Sequence, residues 1–244
     1  MSSEGIQFPK FFVTAPSACP YIDGMEERKV FTDLEGPDAM ALNEALGKIG
    51  FRRSQTVAYR PACEDCNACI SVRSRALDFK PSKSMKRVAT RNADIKSQVR
   101  PAITTVEQYD LLHKYLVGRH DDGSMTNMSH DDFREMVETS SVETVLIEYR
   151  RALDNKLMGV ALTDQHSDGL SMVYSFFDID ENERSLGVYM ILDHLKRTRI
   201  ANQPYLYLGY WVKQSQKMSY KVRYQPIEAL GAAGWRLMDK RECT

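Results

Sequence analysis

The sequence predicts an α/β (α+β) protein, with a mixed sheet and flanking helices in the C-terminal part and a smaller cysteine-containing N-terminal domain. Two observations lead there. Apolar, β-branched runs at 142–149, 157–163 and 170–177 precede a long helical pattern at about 185–200 and a further strand at 205–212, which is the order of a sheet with a crossover. Upstream, Cys63, Cys66 and Cys69 form a C-x₂-C-x₂-C run, with Cys19 alone before them. Three thiols within seven residues are too close for loop disulfides but suit one metal. The division is placed at residue 100: 1–100 hold the cysteines and a basic helix, and 101–244 hold the main sheet.

The elements follow in order. Pro37-Asp38 opens a helix with Leu42, Ala45, Leu46 and Ile49 as its apolar stripe, closed by Gly50. Residues 56–59 and 70–77 read as strands flanking the cysteines. Pro81-Ser82 opens a helix with Met85, Val88 and Ile95 on one face, while Lys83, Arg87 and Arg91 form a basic ridge at i, i+4 and i+8. The stretch 94–104, containing Pro101, reads as a boundary. Thr104-x-x-Glu107 is a capping box for a helix with Val106, Tyr109, Leu112 and Leu116, and Ser129 starts a short helix through Phe133 and Val137.

Composition excludes several classes. The first ten residues have no basic and apolar leader pattern, and no run is long enough to span a membrane. Free cysteines without an export signal point to the reducing cytoplasm, with Cys243 a bystander. Net charge is zero, yet residues 73–100 hold nine Lys/Arg against Asp78 and Asp94, and residues 196–223 hold seven Lys/Arg and no acid. Acids gather at 23–38 and 121–154. Such segregation fits a polyanion gripped locally; alternating solvated charge is the bland alternative.

Three groups of residues can carry chemistry. Cys19, Cys63, Cys66 and Cys69 suit zinc or an iron–sulfur cluster, and nearby cations would lower their thiol pKa values; packing as small apolar residues is the alternative. Ser185 and Gly187, between a strand and the long helix, place unpaired N–H groups at a helix N-terminus, where an anion is favoured. That turn, Arg184 to Tyr189, resembles the phosphate-binding turn of GNAT acyltransferases, with Tyr189 where a small residue belongs. The aromatic and basic tail from Tyr205 to Tyr224, with Trp211, Lys213, Lys217 and Lys221, can stack on bases and meet phosphates. None of the histidines (113, 120, 130, 166, 194) has a triad or metal spacing, and there is no nucleophile elbow or Walker loop.

Longer motifs carry a family resemblance. They are Phe12-Val13-Thr14-Ala15-Pro16, Cys19-Pro20-Tyr21, Phe51-Arg52-Arg53-Ser54, Tyr59 to Arg73, Phe79 to Ser84, Arg91-Asn92, Tyr174 to Asp178, Ser185-Leu186-Gly187, Leu208 to Trp211 and Lys217 to Lys221. Together they resemble the bacterial aspartate/glutamate leucyltransferases, relatives of the arginyl-tRNA–protein transferases. The resemblance implies a GNAT-like C-terminal domain and transfer of leucine from leucyl-tRNA to proteins beginning with Asp or Glu, marking them for degradation. Arginyl relatives place an iron–sulfur cluster on N-terminal cysteines; here Ile22 stands at their second cysteine.

Aminolysis of an activated ester needs no cofactor. Lys83, Arg87, Arg91, Lys213, Lys217 and Lys221 would meet the tRNA, and Arg60, Arg73 and Arg75 the acceptor carboxylate. Asp178 would serve as base, with Tyr174 and Tyr220 orienting substrates or stabilising the oxyanion. Membrane and DNA are not expected partners. Three rivals stay open: the same transfer with arginine, a non-catalytic metal-containing RNA-binding protein, and a coenzyme A–dependent acetyltransferase, which Tyr189 disfavours.

Overall fold

Helix Leu186–Ile200 carries the chain from strand Gly169–Phe177 to strand Tyr205–Trp211, and these two strands lie parallel, as the expected crossover requires. The computed structural model describes residues 9–119, 127–239 and 241–242; His120 and Cys243 lie outside them. Within the described residues one sheet runs in the order Gly234–Leu237, Ile227–Gly231, Ile70–Arg75, Tyr205–Trp211, Gly169–Phe177, Leu157–His166, Thr144–Arg151 and Ile95–Pro101. Two of these strands come from before residue 101, so the sheet draws on both sides of the expected division. No described helix is long and apolar enough to cross a membrane.

Burial explains the layers. Strand Leu157–His166 is buried from Leu157 through Asp164, which demands cover on both faces. On one face the long helix presses Leu186, Met190, Ile191 and Leu195 onto Met158, Ala161 and Leu206. On the other, helices Val106–Arg119 and His130–Glu138 bring Leu112, Leu116 and Phe133 against Leu146, Val160, Leu162 and Phe176. Each such side chain contributes about 1.5–3 kcal/mol by leaving water. His194 of the long helix is fully buried between Thr163 Oγ1 (2.9 Å) and Met190 O (2.7 Å), a structural position.

Caps fall near where side-chain chemistry puts them. Ser82 accepts from Met85 N (3.3 Å) to start helix Lys83–Arg91, and Ser129 with Asp132 closes a capping box. The box expected at Thr104 and Glu107 sits one residue later. Thr105 and Gln108 exchange its two bonds (3.0 and 3.3 Å), because buried Gln108 also binds Glu148 (2.8 Å). The basic helix stops at Asn92, whose amide donates to Val88 O and Arg184 O. Ile95 therefore begins the edge strand instead of continuing the helix face, and the stretch read as a boundary is that strand, ending at Pro101.

Ahead of the main sheet, Phe12–Val13, Lys29–Asp33, Val57–Pro61 and Arg52–Ser54 form a second sheet, and Ser17–Ala18 pairs with Glu26–Glu27. Helix Ala39–Lys48 covers the second sheet with Ala39 and Leu46 over Phe51 and Ala58. Gly50 follows this helix at φ 91°, a left-handed turn that suits glycine. Arg53 joins the two sheets: its guanidinium meets the carboxylate of Asp164 in two 2.7 Å bonds, and both side chains are almost wholly buried.

Candidate functional site: a wedge between parallel strands

Strands Gly169–Phe177 and Tyr205–Trp211 pair only from Gly169 to Ser171 against Tyr205 to Tyr207. Gly169 makes the close start possible, since a Cβ there would stand 1.8 Å from Tyr205 O. Beyond Tyr207 the second strand shifts register at Gly209 (φ 78°), and the two strands diverge. Their facing carbonyls then lose ladder partners and must be satisfied by something else.

Two cations enter this wedge. Arg52 donates to Ser171 Oγ (3.2 Å) and to Met172 O on one wall. Lys221, 8% exposed, donates to Tyr210 O (2.6 Å) on the other. Gly209 lets the guanidinium lie against the strand, because a Cβ at that position would be 3.2 Å from Arg52 Cζ. Burial, reinforced by the charge of Arg52, pushes the Lys221 amine down to about 7. Among the described residues neither cation has a carboxylate within ion-pair distance.

Aromatic residues line the mouth. Tyr115 meets Phe177 edge-on at 5.1 Å, and Arg119 lies over both rings at 5.9 and 5.4 Å. Tyr220 keeps 39% of its surface exposed, but its hydroxyl end is enclosed: burial raises its pKa, Tyr115 adds to this, and Arg119 and Arg52 oppose it. Burial raises Tyr174 likewise, with Tyr115 beside it. Both hydroxyls therefore stay protonated at neutral pH and can donate hydrogen bonds. At the start of the long helix Ser185 adopts φ 53° and makes no side-chain cap, while a Cβ on Gly187 would stand 3.0 Å from the Phe177 ring. Tyr174 and Tyr220 thus lie near Tyr115, and Gly187 lies against the Phe177 ring that Tyr115 meets.

Other candidates have different employment. Asp178, expected as the base, is 1% exposed, with one oxygen held by Lys114 (2.7 Å) and the other by Lys156 (2.6 Å). Burial raises its pKa, but the two lysines outweigh it and hold the carboxyl below its ordinary value, which makes it a poor proton acceptor. Arg73 is buried against Tyr205 (3.5 Å), Trp235 (4.3 Å) and Tyr207, and paired with Glu228 (2.8 Å). Arg75 pairs with Asp78 (2.6 Å), and Arg60 lies over Phe51 and donates to Ile49 O. None of the three enters the wedge contacts.

Trp211, expected to stack on bases, is buried in the core. Lys221, expected on phosphates, is interior. Lys83, Arg87, Lys213 and Lys217 are exposed, whereas Arg91 is exposed but donates to Glu183 O. Sequence reasoning quoted Arg52 within a motif and gave it no role, and it passed over Tyr115 and Arg119. The period-2 alternation of Arg52 and Arg53 was the available signal, since it must send the two to opposite faces.

The cysteines converge without forming a ligand set. Cys63, Cys66 and Cys69 occupy the connection between Val57–Pro61 and Ile70–Arg75. Burial pushes the Cys69 thiol up to about 11, with further upward contributions from Cys19, Cys63, Cys66 and Glu27. The four thiols therefore sense one another, and at Cys69 the shift is opposite to that expected from nearby cations. Among the described residues no three His, Cys, Asp or Glu side chains are placed to hold a metal ion. The donor chemistry suits a thiophilic metal; the geometry in this structure does not, and no chemical step is drawn through one.

The chain is similar to known proteins over most of its length. The model of the arginine-tRNA-protein transferase N terminus matches residues 17–87, and that of its C terminus matches residues 107–231. A protein of Parvibaculum lavamentivorans named aspartate/glutamate leucyltransferase is 53% identical over 230 residues, 94% of this chain and 95% of its own. One of the same name from Rhizorhabdus wittichii is 52% identical over 94% of this chain and 88% of its own. Among solved structures, a GCN5-related glucosamine N-acetyltransferase region of a fungal multi-domain protein is similar at a TM-score of 0.42 and 10% identity, over 84% of this chain and 22% of that one.

Proposed function

Because the chain belongs to the arginine-tRNA-protein transferase family, we propose that it transfers leucine from leucyl-tRNA to the N-terminal Asp or Glu of proteins, marking them for degradation. The observation that carries this reading is the 53% identity, over nearly the full length of both chains, to a relative named for that transfer. What supports the reading in the wedge is a pair of protonated tyrosine hydroxyls, basic groups without carboxylate partners among the described residues, and aromatic walls.

The acceptor's α-amine attacks the carbonyl carbon of the leucyl ester. The C–N bond forms, the C–O bond to the terminal ribose breaks, and the proton lost by the amine balances the one gained by the ribose oxygen. The ester is already activated, and an α-amine has an ordinary pKa of about 7.7–8.0, so about a tenth or more of it is a free nucleophile at neutral pH. Positioning is the enzyme's main task. Tyr174 and Tyr220, protonated and at the cleft, donate to the oxyanion that develops on the ester carbonyl. Lys83 and Arg87 on the basic helix, with Lys213 and Lys217 beyond the strand end, meet tRNA phosphates.

The test is transfer of labelled leucine from charged tRNA onto peptides alike except for a first residue of Asp, Glu or Ala. Leucine should appear on the Asp and Glu peptides and not on the Ala peptide. Equal labelling of all three, or none, would contradict the reading.

A further inference from the structure

We propose that Arg52, backed by Lys221, is the seat for the side-chain carboxylate of the acceptor's first residue; this rests on the transferase reading above. The starting point is a cost. Arg52 is half-buried and Lys221 is buried, and among the described residues neither has an acidic partner. A guanidinium kept charged there without a counter-ion costs stability, and the Lys221 amine, held down to about 7, gives up its proton in about half the molecules at neutral pH until an anion enters. Other buried or half-buried cations here are neutralised: Arg53 by Asp164, Arg73 by Glu228, Arg150 by Glu148 and Arg184 by Asp94. The wedge is different. It keeps a guanidinium and an amine on opposite walls of one gap and supplies only neutral oxygens to each, Ser171 Oγ and Met172 O for one and Tyr210 O for the other.

These contacts use part of each group's donor capacity. A guanidinium has five N–H donors in a planar fork, and Arg52 directs two of its nitrogens at the strand wall. The remaining donors are available to a planar, bidentate anion, for which a carboxylate is the natural match. Neutral partners hold the fork in place without cancelling its charge, which is how a site for an incoming anion must be built. Gly209 contributes by lying flat against the guanidinium, where any side chain would intrude.

Depth and surroundings favour the acceptor's carboxylate over a tRNA phosphate. A phosphodiester is carried on a bulky backbone and is suited to the exposed Lys83, Arg87, Lys213 and Lys217. A carboxylate on one or two methylenes is thin enough to enter between two strands. The charge of Arg52 is felt at the Tyr220 hydroxyl, so the seat lies on the same side of the cleft as that donor. With its carboxylate on Arg52, an Asp or Glu acceptor keeps its α-amine a few bonds away, toward the ester.

The test uses the full chain, leucyl-tRNA and peptides beginning with Asp, Glu, Asn or Gln, so that each acid has a neutral isostere. Arg52→Gln should raise KM for the Asp and Glu peptides about 100-fold, leave the weak inhibition constants of the Asn and Gln peptides, measured as competitors, within about twofold, and leave leucyl-tRNA affinity unchanged. Lys221→Met keeps the stem and removes the amine; it should raise KM for the acidic peptides about tenfold, with kcat at saturating peptide little changed. If Arg52→Gln fails to fold, Arg52→Lys keeps the charge without the fork and, with Lys221→Met, provides the same contrast. Equal loss on acidic and amide peptides, or weakened tRNA binding with peptide KM unmoved, would overturn the assignment. If the unmodified enzyme transfers leucine to no peptide, the transferase reading falls and this one with it.

Discussion

Arg53→Met should lower the stability of the fold by about 3–5 kcal/mol, the usual cost of removing one partner from a fully buried ion pair. The loss is large because of what stays behind. Asp164 is 1% exposed, and without Arg53 its charge keeps only the Thr144 hydroxyl at 2.8 Å. The pair also joins strand Arg52–Ser54 of the small sheet to strand Leu157–His166 of the large one, so its loss weakens the junction that delivers Arg52 to the wedge. At roughly 2–4 °C per kcal/mol for a chain of this size, the midpoint of thermal unfolding should fall by about 6–20 °C. The double variant Arg53→Met/Asp164→Leu should recover much of that, because it leaves no charge unpaired. A double variant no more stable than the single one would show that the two residues are not coupled.

Asp178→Asn should be the second large effect, on stability far more than on chemistry. Both carboxylate oxygens are in ion pairs with lysines, and the side chain also accepts from Asp180 N (3.2 Å), fixing the turn after Phe177. An amide matches one of these demands and leaves the lysines without a counter-charge, a loss of about 2–4 kcal/mol for a buried acceptor serving partly exposed cations. The sign of the pH dependence follows from the lowered pKa. The ionised carboxyl contributes stability that is fully present above about pH 4, its unfolded value, and is lost as pH falls through the lower folded value. Unfolding midpoints measured from pH 6 down to pH 2 should therefore converge between the variant and the natural protein. At 15–20 °C, where the variant is folded, transfer should persist within about tenfold, because Asp178 is not the proton acceptor. A loss of about a thousandfold or more in kcat with an unchanged unfolding midpoint would return Asp178 to the mechanism.

Sequence legibility followed the range of the interactions involved. Helices announced by a cap and a stripe, at Ser82 and Ser129, were readable because their signals lie within a few residues. The central strands were readable as apolar runs. The pairs Phe12–Val13, Ser17–Ala18 and Glu26–Glu27 were not, since two residues carry no period. Strand Ile95–Pro101 was hidden by its polar edge position and terminal proline, and the hairpin Ile227–Gly231 with Gly234–Leu237 by its small-residue composition.

The site was legible in part and for the same reason. Tyr174, Tyr220, Ser185 and Gly187 belong to local motifs near strand and helix ends. The arginines do not declare their partners locally. Arg73 looked free until Glu228 and three aromatic rings, Tyr205, Tyr207 and Trp235, closed around it. Arg52 and Arg53 are neighbours in sequence, yet one is neutralised by a residue 111 positions away and the other reaches the wedge through Ser171 and Met172. A sequence shows that cations are present; only the fold shows which of them lack a counter-ion.

The measurement that bears most directly on the central claim is a donor competition. The protein is given leucyl-tRNA and arginyl-tRNA together with a peptide beginning with Asp, and the product's new first residue is read by mass spectrometry. Leucine at that position, with no arginine, is the expected result. Arginine in its place would assign the sister activity to this wedge, and an unmodified peptide would contradict the assignment of transfer altogether.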